Sequence, residues 1–299
     1  MPRQPISIVI RNLNERPTLE ILLRVLKHQT HPPDQIVLVD NESTDGSVEM
    51  AKPFGVEVTS VRRGGYHPGA ALNQGIRLCR NEIVGIISAH SIPMTRDFLA
   101  IVVDAFNDDR IAALRLLEAP RSVPRADPLV SHRLEPGAPL DIINRWGLNN
   151  PASALRRSVW ERVPFDEAIE ACEDKLWTVE VLKLGYVLAP CSAVSASVRT
   201  RTPREGMLRN YRQHLVWYKM SGQLPETSIA QLARGILGGC RLAAEHVWCA
   251  VMSYWLCKRI PATARRNPLR ALVSSPAGSS SGAASEVAQQ TSARRGDRN

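Results

Sequence analysis

Apolar residues in this chain come in short β-branched runs that alternate with stretches of helical spacing. Ile6 to Arg11 (ISIVIR) reads as a first strand buried on both faces. Pro17 then opens a helix whose Leu19, Leu22, Leu23 and Leu26 recur at the spacing of one helix face. HPPDQ breaks that helix, and Ile36 to Asp40 (IVLVD) forms a second strand. Polar NESTDGS supplies turn and cap residues, and Val56 to Val61 forms a third strand. Gly64, Gly65 and Gly69 make a flexible loop before a helix through Leu72 and Ile76. Ile83 to Ile87 is the fourth strand, after which Pro93 is expected to stop regular structure. A helix through Phe98, Val102 and Phe106 leads to another strand, IAALRLL.

This alternation predicts an α/β fold around a parallel sheet with right-handed crossovers. Beyond Glu118, Pro120, Pro124, Pro128, Pro136 and Pro139 mark a long irregular segment of the kind that carries functional loops. Order returns at NNPASALRRSVWERVPFDE, and a helix from Cys172 to Leu184 is stopped by Gly185. Ile229 to Ile260 again has helical pattern. Within it, Val247 to Cys257 (VWCAVMSYWLC) is shorter than the ~20 apolar residues of a bilayer span. Lys258, Arg259, Arg265, Arg266 and Arg270 follow. An apolar, Trp-bearing stretch beside a basic cluster fits peripheral contact with an anionic membrane through 229–270, or a helix packed on the domain or a second copy. The Ser-, Gly- and Ala-rich end is expected to be disordered.

Charge narrows the partners. A net charge of +9 and a pI of 9.6 point to anions such as nucleotide phosphates or acidic lipid. Nucleic acid is not expected, because it calls for a basic stripe with interleaved aromatics and only 5% of residues are aromatic. The six cysteines show no CxxC spacing, so neither a disulfide framework nor a zinc site is expected. MPRQPISIVI has no apolar signal core, which leads to the expectation of a cytoplasmic protein.

Several stretches together carry a family resemblance. SIVIRNLNE, IVLVDNESTDGS, GAALNQGIRLCRNEIVGIISAHSIP, RRSVWERVPFDE and CEDKLW resemble, in order and spacing, the family 2 glycosyltransferases of GT-A fold, from about Ile6 to Tyr218. The resemblance implies a mostly parallel sheet flanked by helices, with a C-terminal helical extension. It also implies transfer of a sugar from a nucleotide-diphosphate donor to an acceptor hydroxyl, usually with inversion. Residues 1–118 become the nucleotide-sugar-binding half and 119–225 the half that binds acceptor and carries the base. An amphipathic helical extension over 226–273 and a tail over 274–299 follow.

The resemblance assigns residues one by one. Arg11, Asn12, Asn14 and Glu15 match the nucleoside-binding stretch. Asp40 matches the acid that contacts the base; it can accept from an imide N–H, which favours UDP- or dTDP-sugars. Ser43 and Asp45 read as helix caps. Where the family usually carries Asp-x-Asp for Mg²⁺ or Mn²⁺, this chain reads Ser88-Ala89-His90. Together with Gly69 to Asn73, this resembles a subgroup of the family, and Asn73, Ser88 and His90 join the nucleotide-sugar set. Hard Mg²⁺ wants oxygen ligands, whereas imidazole tolerates Mn²⁺, so His90 is the candidate metal ligand. The alternative is metal-independent: His90 and arginines among Arg62, Arg63, Arg199, Arg201 and Arg204 neutralise the leaving diphosphate.

Glu173-Asp174 matches the family's acidic pair, with Asp174 as general base and Glu173 positioning the acceptor or capping the helix. Trp177 reads as packing. YRQHLVWYKM resembles the QxxRW signature at Gln213 and Trp217 but has Val216 in the Arg place, so processivity is not expected. The reaction expected is synthesis of a cell-surface polysaccharide or glycolipid on a lipid-linked or saccharide acceptor, at the inner face of the membrane. The competing reading is an inactive GT-A domain that binds a ligand or partner. A nucleotidyltransferase is disfavoured by the absence of GxxxxGK[ST].

Overall fold

The computed structural model describes residues 3–64, 66–119, 132–199, 213 and 216. The first part follows the expected alternation: β1 (Ile6–Asn12), α1 (Arg16–Lys27), β2 (Gln35–Asp40), α2 (Ser47–Ala51), β3 (Glu57–Ser60), α3 (Pro68–Arg77) and β4 (Ile83–Ser88). Then come β5 (Ser91–Pro93), α4 (Phe98–Asp104), β6 (Ile111–Glu118), α5 (Leu140–Trp146), β7 (Ala152–Arg156), α6 (Arg157–Arg162), α7 (Glu173–Lys183) and β8 (Val187–Ser197). They build one sheet in the order β3-β2-β1-β4-β7-β6-β8-β5.

The β3-β2-β1-β4 half is parallel throughout. The other half is mixed. β7 runs antiparallel to both β4 and β6, β8 is parallel to β6, and β5 is antiparallel to β8. The sheet is thus mostly, not wholly, parallel. β5, β7 and β8 lie where the residue pattern announces no strand. Pro93 does end regular structure, as the last residue of the short β5, opposite Ser195 on the outer edge of the sheet. A residue without an N–H is tolerated there. α4 stops at Asp104, short of Phe106.

Helices cover both faces, which is why β1 is apolar along its length. Ile8 and Ile10 join one core with Leu19, Leu22, Leu23 and Leu26 of α1, all buried as their spacing requires. Val9 joins the other core with Leu72 and Ile76 of α3 and Val181 of α7. Each such side chain stabilises by roughly 1.5–3 kcal/mol when fully buried. Gly75 lets α3 lie directly on the sheet: a Cβ there would come within 2.6 Å of Val9 Cγ1 and Val39 Cγ2. This contact sets where the N-terminal end of α3 stands, and that end borders the site below.

Cys79 and Cys191 are buried free thiols, and burial pushes Cys79 up to about 12, leaving it unreactive. Among the described residues no helix is long and apolar enough to cross a membrane. The expected extension over 226–273, the tail over 274–299, Trp217, Arg201 and Arg204 lie outside the described residues.

Candidate active site

The chain leaves β1 toward β2 on one side and later returns to β4 on the other, so the sheet's direction of winding switches between β1 and β4. In α/β sheets ligands bind outside the carboxyl ends of strands at such a point. A cleft of about 1080 Å³ opens there. Arg11, Asn12 and Leu13 line it from the end of β1, Glu15 from just before α1, and Ser88 and His90 from the end of β4. Glu173, Asp174 and Lys175 line it from the first turn of α7, and Asn149 and Asn150 from the turn before β7.

His90 is only 9% exposed. Its Nδ1 lies 2.8 Å from Glu15 Oε2 and 3.1 Å from Oε1. A carboxylate in that position fixes the ring and leaves Nε2 for a ligand. Arg199 Nη1 approaches the same carboxylate at 3.4 Å and also lines the cleft. Arg63 lines it too, tied through its backbone N–H and guanidinium to Glu42. Arg62 does not line it. Glu15, expected on the nucleoside, lines the cleft as the carboxylate that gathers His90 and Arg199.

A hard cation is poorly served here. Ser88 and His90 offer one hydroxyl and one imidazole, and Glu15 is already engaged by the His90 ring and Arg199. Among the described residues no three His, Cys, Asp or Glu side chains gather in a metal-binding group. The donor set fits a cationic seat for an anion better than a cage for Mg²⁺.

The acidic pair is built by a backbone device. Cys172 adopts the left-handed conformation at φ 62° and turns the chain into α7. Glu173 and Asp174 therefore fall in the first turn, where the helix dipole favours carboxylates. Glu173 is buried; its Oε1 accepts from Asn150 Nδ2 at 2.9 Å and lies 3.8 Å from Arg11 Nη1. Burial, then the charge of Asp174, push the Glu173 carboxyl above its ordinary range, against the pull of Arg11 and Asn150. Burial alone would lower Arg11, but Tyr66, Glu173 and Asp174 outweigh it and hold the guanidinium above its usual value. Asp174 is the more open of the two acids, and its Oδ2 accepts from the Asn150 backbone N–H at 3.3 Å. Lys175 donates to the carbonyls of Gly147 and Leu148 at 2.9 and 2.8 Å, holding the turn that carries Asn149 and Asn150. Burial lowers its ammonium.

Three expected site residues do not reach the cleft lining. Asp40 stands behind Asn12: its Oδ1 accepts from Asn12 Nδ2 at 2.9 Å and its Oδ2 from the Ser43 N–H at 2.8 Å. Asn14, at φ 52°, binds the loop after β2, its Oδ1 accepting from the Thr44 N–H at 2.8 Å. Asn73 is a correction. It is 1% exposed, and its amide is fully used within the fold. Nδ2 donates to Phe165 O and Glu167 Oε1, while Oδ1 accepts from Trp160 Nε1 and the Phe165 N–H. It clips α3 to the segment before α7, with no donor or acceptor left for a nucleotide.

Ser43 is not a cap either; its hydroxyl accepts from Asn12 Nδ2 and the Asn14 N–H. Asp45 accepts from the Ser47 N–H at the start of α2 and the Arg16 N–H at the start of α1. Trp177 packs as expected, 5.5 Å from the Phe165 ring, donating to Val163 O. Sequence reasoning passed over Asn150, Lys175 and Tyr66. The available signals were NNP in a turn just before a strand and the Lys following the acidic pair.

Residues 7–147 match the family model of Glycosyl transferase family 2. The O-antigen chain rhamnosyltransferase WbaN of Salmonella anatum is 26% identical over 200 residues, which cover 61% of this chain and 62% of that protein. The chain thus spans less than two thirds of that relative's length. The O-antigen chain rhamnosyltransferase RfbN of Salmonella typhimurium is 24% identical over 222 residues, 69% of this chain and 70% of the relative. Mannosyltransferase PcManGT from Pyrobaculum calidifontis, solved with GDP-Man and Mn²⁺, superposes with a TM-score of 0.57 at 22% identity, over 75% of this chain and 67% of that one. Glucosyl-3-phosphoglycerate synthase from Mycobacterium tuberculosis, solved with Mn²⁺, UDP and glucosyl-3-phosphoglycerate, gives 0.53 at 17% identity, over 75% and 82%.

Proposed function

Because residues 7–147 form a family 2 glycosyltransferase domain and the fold is that of GT-A enzymes, we propose that the protein transfers a hexosyl group from a nucleoside-diphosphate donor to an acceptor hydroxyl. One observation carries the reading: a single cleft is lined both by the Glu15-held His90 with Arg199 and by Asp174. Inverting transfer needs these two kinds of group. As the acceptor oxygen bonds to the anomeric carbon, the bond from that carbon to the diphosphate breaks and its electron pair leaves with the phosphate. Asp174 takes the acceptor proton. His90 Nε2, Arg199, Arg63 and Arg11 meet the charge that builds on the leaving group. Asn12 and Leu13, next to the strand ends, border the nucleoside.

The finer form of the reading takes its sugar from the relatives, both O-antigen chain rhamnosyltransferases. It is transfer of a deoxyhexose such as rhamnose, from a dTDP or UDP donor, onto a lipid-linked or polysaccharide acceptor at the cytoplasmic face of a membrane. Thermal shift and product assays with UDP-, dTDP- and GDP-sugars, each in EDTA, Mg²⁺ or Mn²⁺, test it. Turnover in EDTA supports the cationic seat. Activity lost in EDTA and restored by Mn²⁺ puts a cation on His90 instead. Binding without turnover leaves a ligand-binding module, and no binding removes the reading.

A further inference from the structure

Buried polar atoms normally find partners, so those that do not are informative. Among the described residues, the side-chain oxygens of Asn12, Asn41 and Asn150 and Nδ1 of His67 are buried without a hydrogen-bond partner, and all four residues line the cleft. Asn150 is the most constrained, at 2% exposure. Its Nδ2 is committed to Glu173 Oε1 at 2.9 Å, which fixes the amide and leaves Oδ1 as the unmet acceptor. Its place is equally fixed. The next residue's carbonyl, Pro151 O, accepts from the Ser88 N–H at 2.9 Å, and its own N–H donates to Asp174 at 3.3 Å. Asn150 therefore stands between the end of β4, where the diphosphate is proposed to lie, and the proposed base.

A diphosphate at neutral pH supplies acceptors and no donors. Between leaving phosphate and base, the groups that can donate are hydroxyls of the transferred sugar and of the acceptor, and only the former are carried by the sugar nucleotide itself. We infer that Asn150 Oδ1 accepts a hydrogen bond from a hydroxyl of that sugar and so selects the donor. This rests on the nucleotide-sugar reading. A sugar without that hydroxyl leaves a buried carbonyl unpaired, which is the strongest kind of discrimination a site can build.

Calorimetric titration of the full chain with UDP, dTDP and GDP, and with UDP-glucose, dTDP-rhamnose and GDP-mannose, tests the assignment. The wild type is expected to bind one sugar nucleotide more tightly than its bare nucleotide. Asn150→Ala should weaken that sugar nucleotide about tenfold and the bare nucleotide less than about twofold. Glu173→Gln keeps an acceptor for Asn150 Nδ2 and leaves Asn150 Oδ1 in place; its affinity for the sugar nucleotide should stay within about threefold of wild type. Equal losses for sugar and bare nucleotide, or equal losses in the two variants, would overturn the assignment, because the effect would then run through Glu173 or folding. Bare-nucleotide binding in the same variants reports that the cleft is intact. If the wild type binds none of the six probes, the nucleotide-sugar reading itself falls and takes this inference with it.

Discussion

His90 Nδ1 lies 2.8 Å from Glu15 Oε2, joining the loop after β4 to the residue before α1. Arg199 reaches the same carboxylate at 3.4 Å. Glu15 is thus a hub that holds an imidazole and a guanidinium at the lip of the parallel half-sheet, and the ring keeps its other nitrogen free of this contact.

If the pair acts as one unit, its variants should not be additive. His90→Ala should reduce kcat/KM by roughly 10–100-fold, the size of a lost charge-assisted contact. Glu15→Gln alone should cost several-fold and should add little in the His90→Ala background. A double-mutant cycle on kcat/KM checks this; fully additive losses would mean the two act separately.

Asp174→Asn should lower kcat by about 10²–10⁴-fold, the range for a lost general base. Affinity for the bare nucleoside diphosphate should stay near that of wild type. A matching loss of nucleotide affinity would remove Asp174 from the base role.

Glu173 is held protonated more readily in the fold than in the unfolded chain, because burial raises it first and Asp174 next. The native state therefore binds this proton more tightly. The stabilisation is fully present below the free value of ~4.3 and is lost as pH rises through the native-state value. Wild type should accordingly lose stability relative to Glu173→Gln as pH rises over that window. Urea midpoints across a pH series measure the gap, and a gap that does not vary with pH would refute it.

Asn73→Ala strands the Trp160 Nε1–H and the Phe165 N–H in the core. Destabilisation of about 2–4 kcal/mol is expected from two unmet buried donors. The folded fraction should bind nucleotide as wild type does. Denaturation curves and titration together separate this clip from a ligand contact, since a direct contact would cost affinity at intact stability.

The parallel half and both ends of the cleft were legible because they are written in strong local code. Ile6 to Ile10 is a continuous β-branched run, the leucines of α1 keep a helical stripe, and the acids of α7 open a helix that ends at Gly185. β8 was hidden by its own composition: Pro190 and a run of Ser and Ala serve a strand whose pairing with β6 shifts register between Leu116 and Leu117. β5 and β7 are too short for any periodicity to show. Asn73 and Asn150 were out of reach for a different reason. An Asn is a donor and acceptor without direction in sequence, and what each one does is decided by partners such as Phe165 and Glu173, remote along the chain. The contact of Glu15 with His90 was equally out of reach, since only the fold brings the two together.

The two borders of the sheet are both poor templates. At one, β3 is four residues long and starts with a charged Glu57; at the other, β5 is three residues long and ends in Pro93. Neither offers the long flat row of free amides onto which a foreign strand can zip. Among the described residues, copies of this chain that meet in concentrated solution therefore find helices and loops rather than an open strand, and the sheet stays a private scaffold.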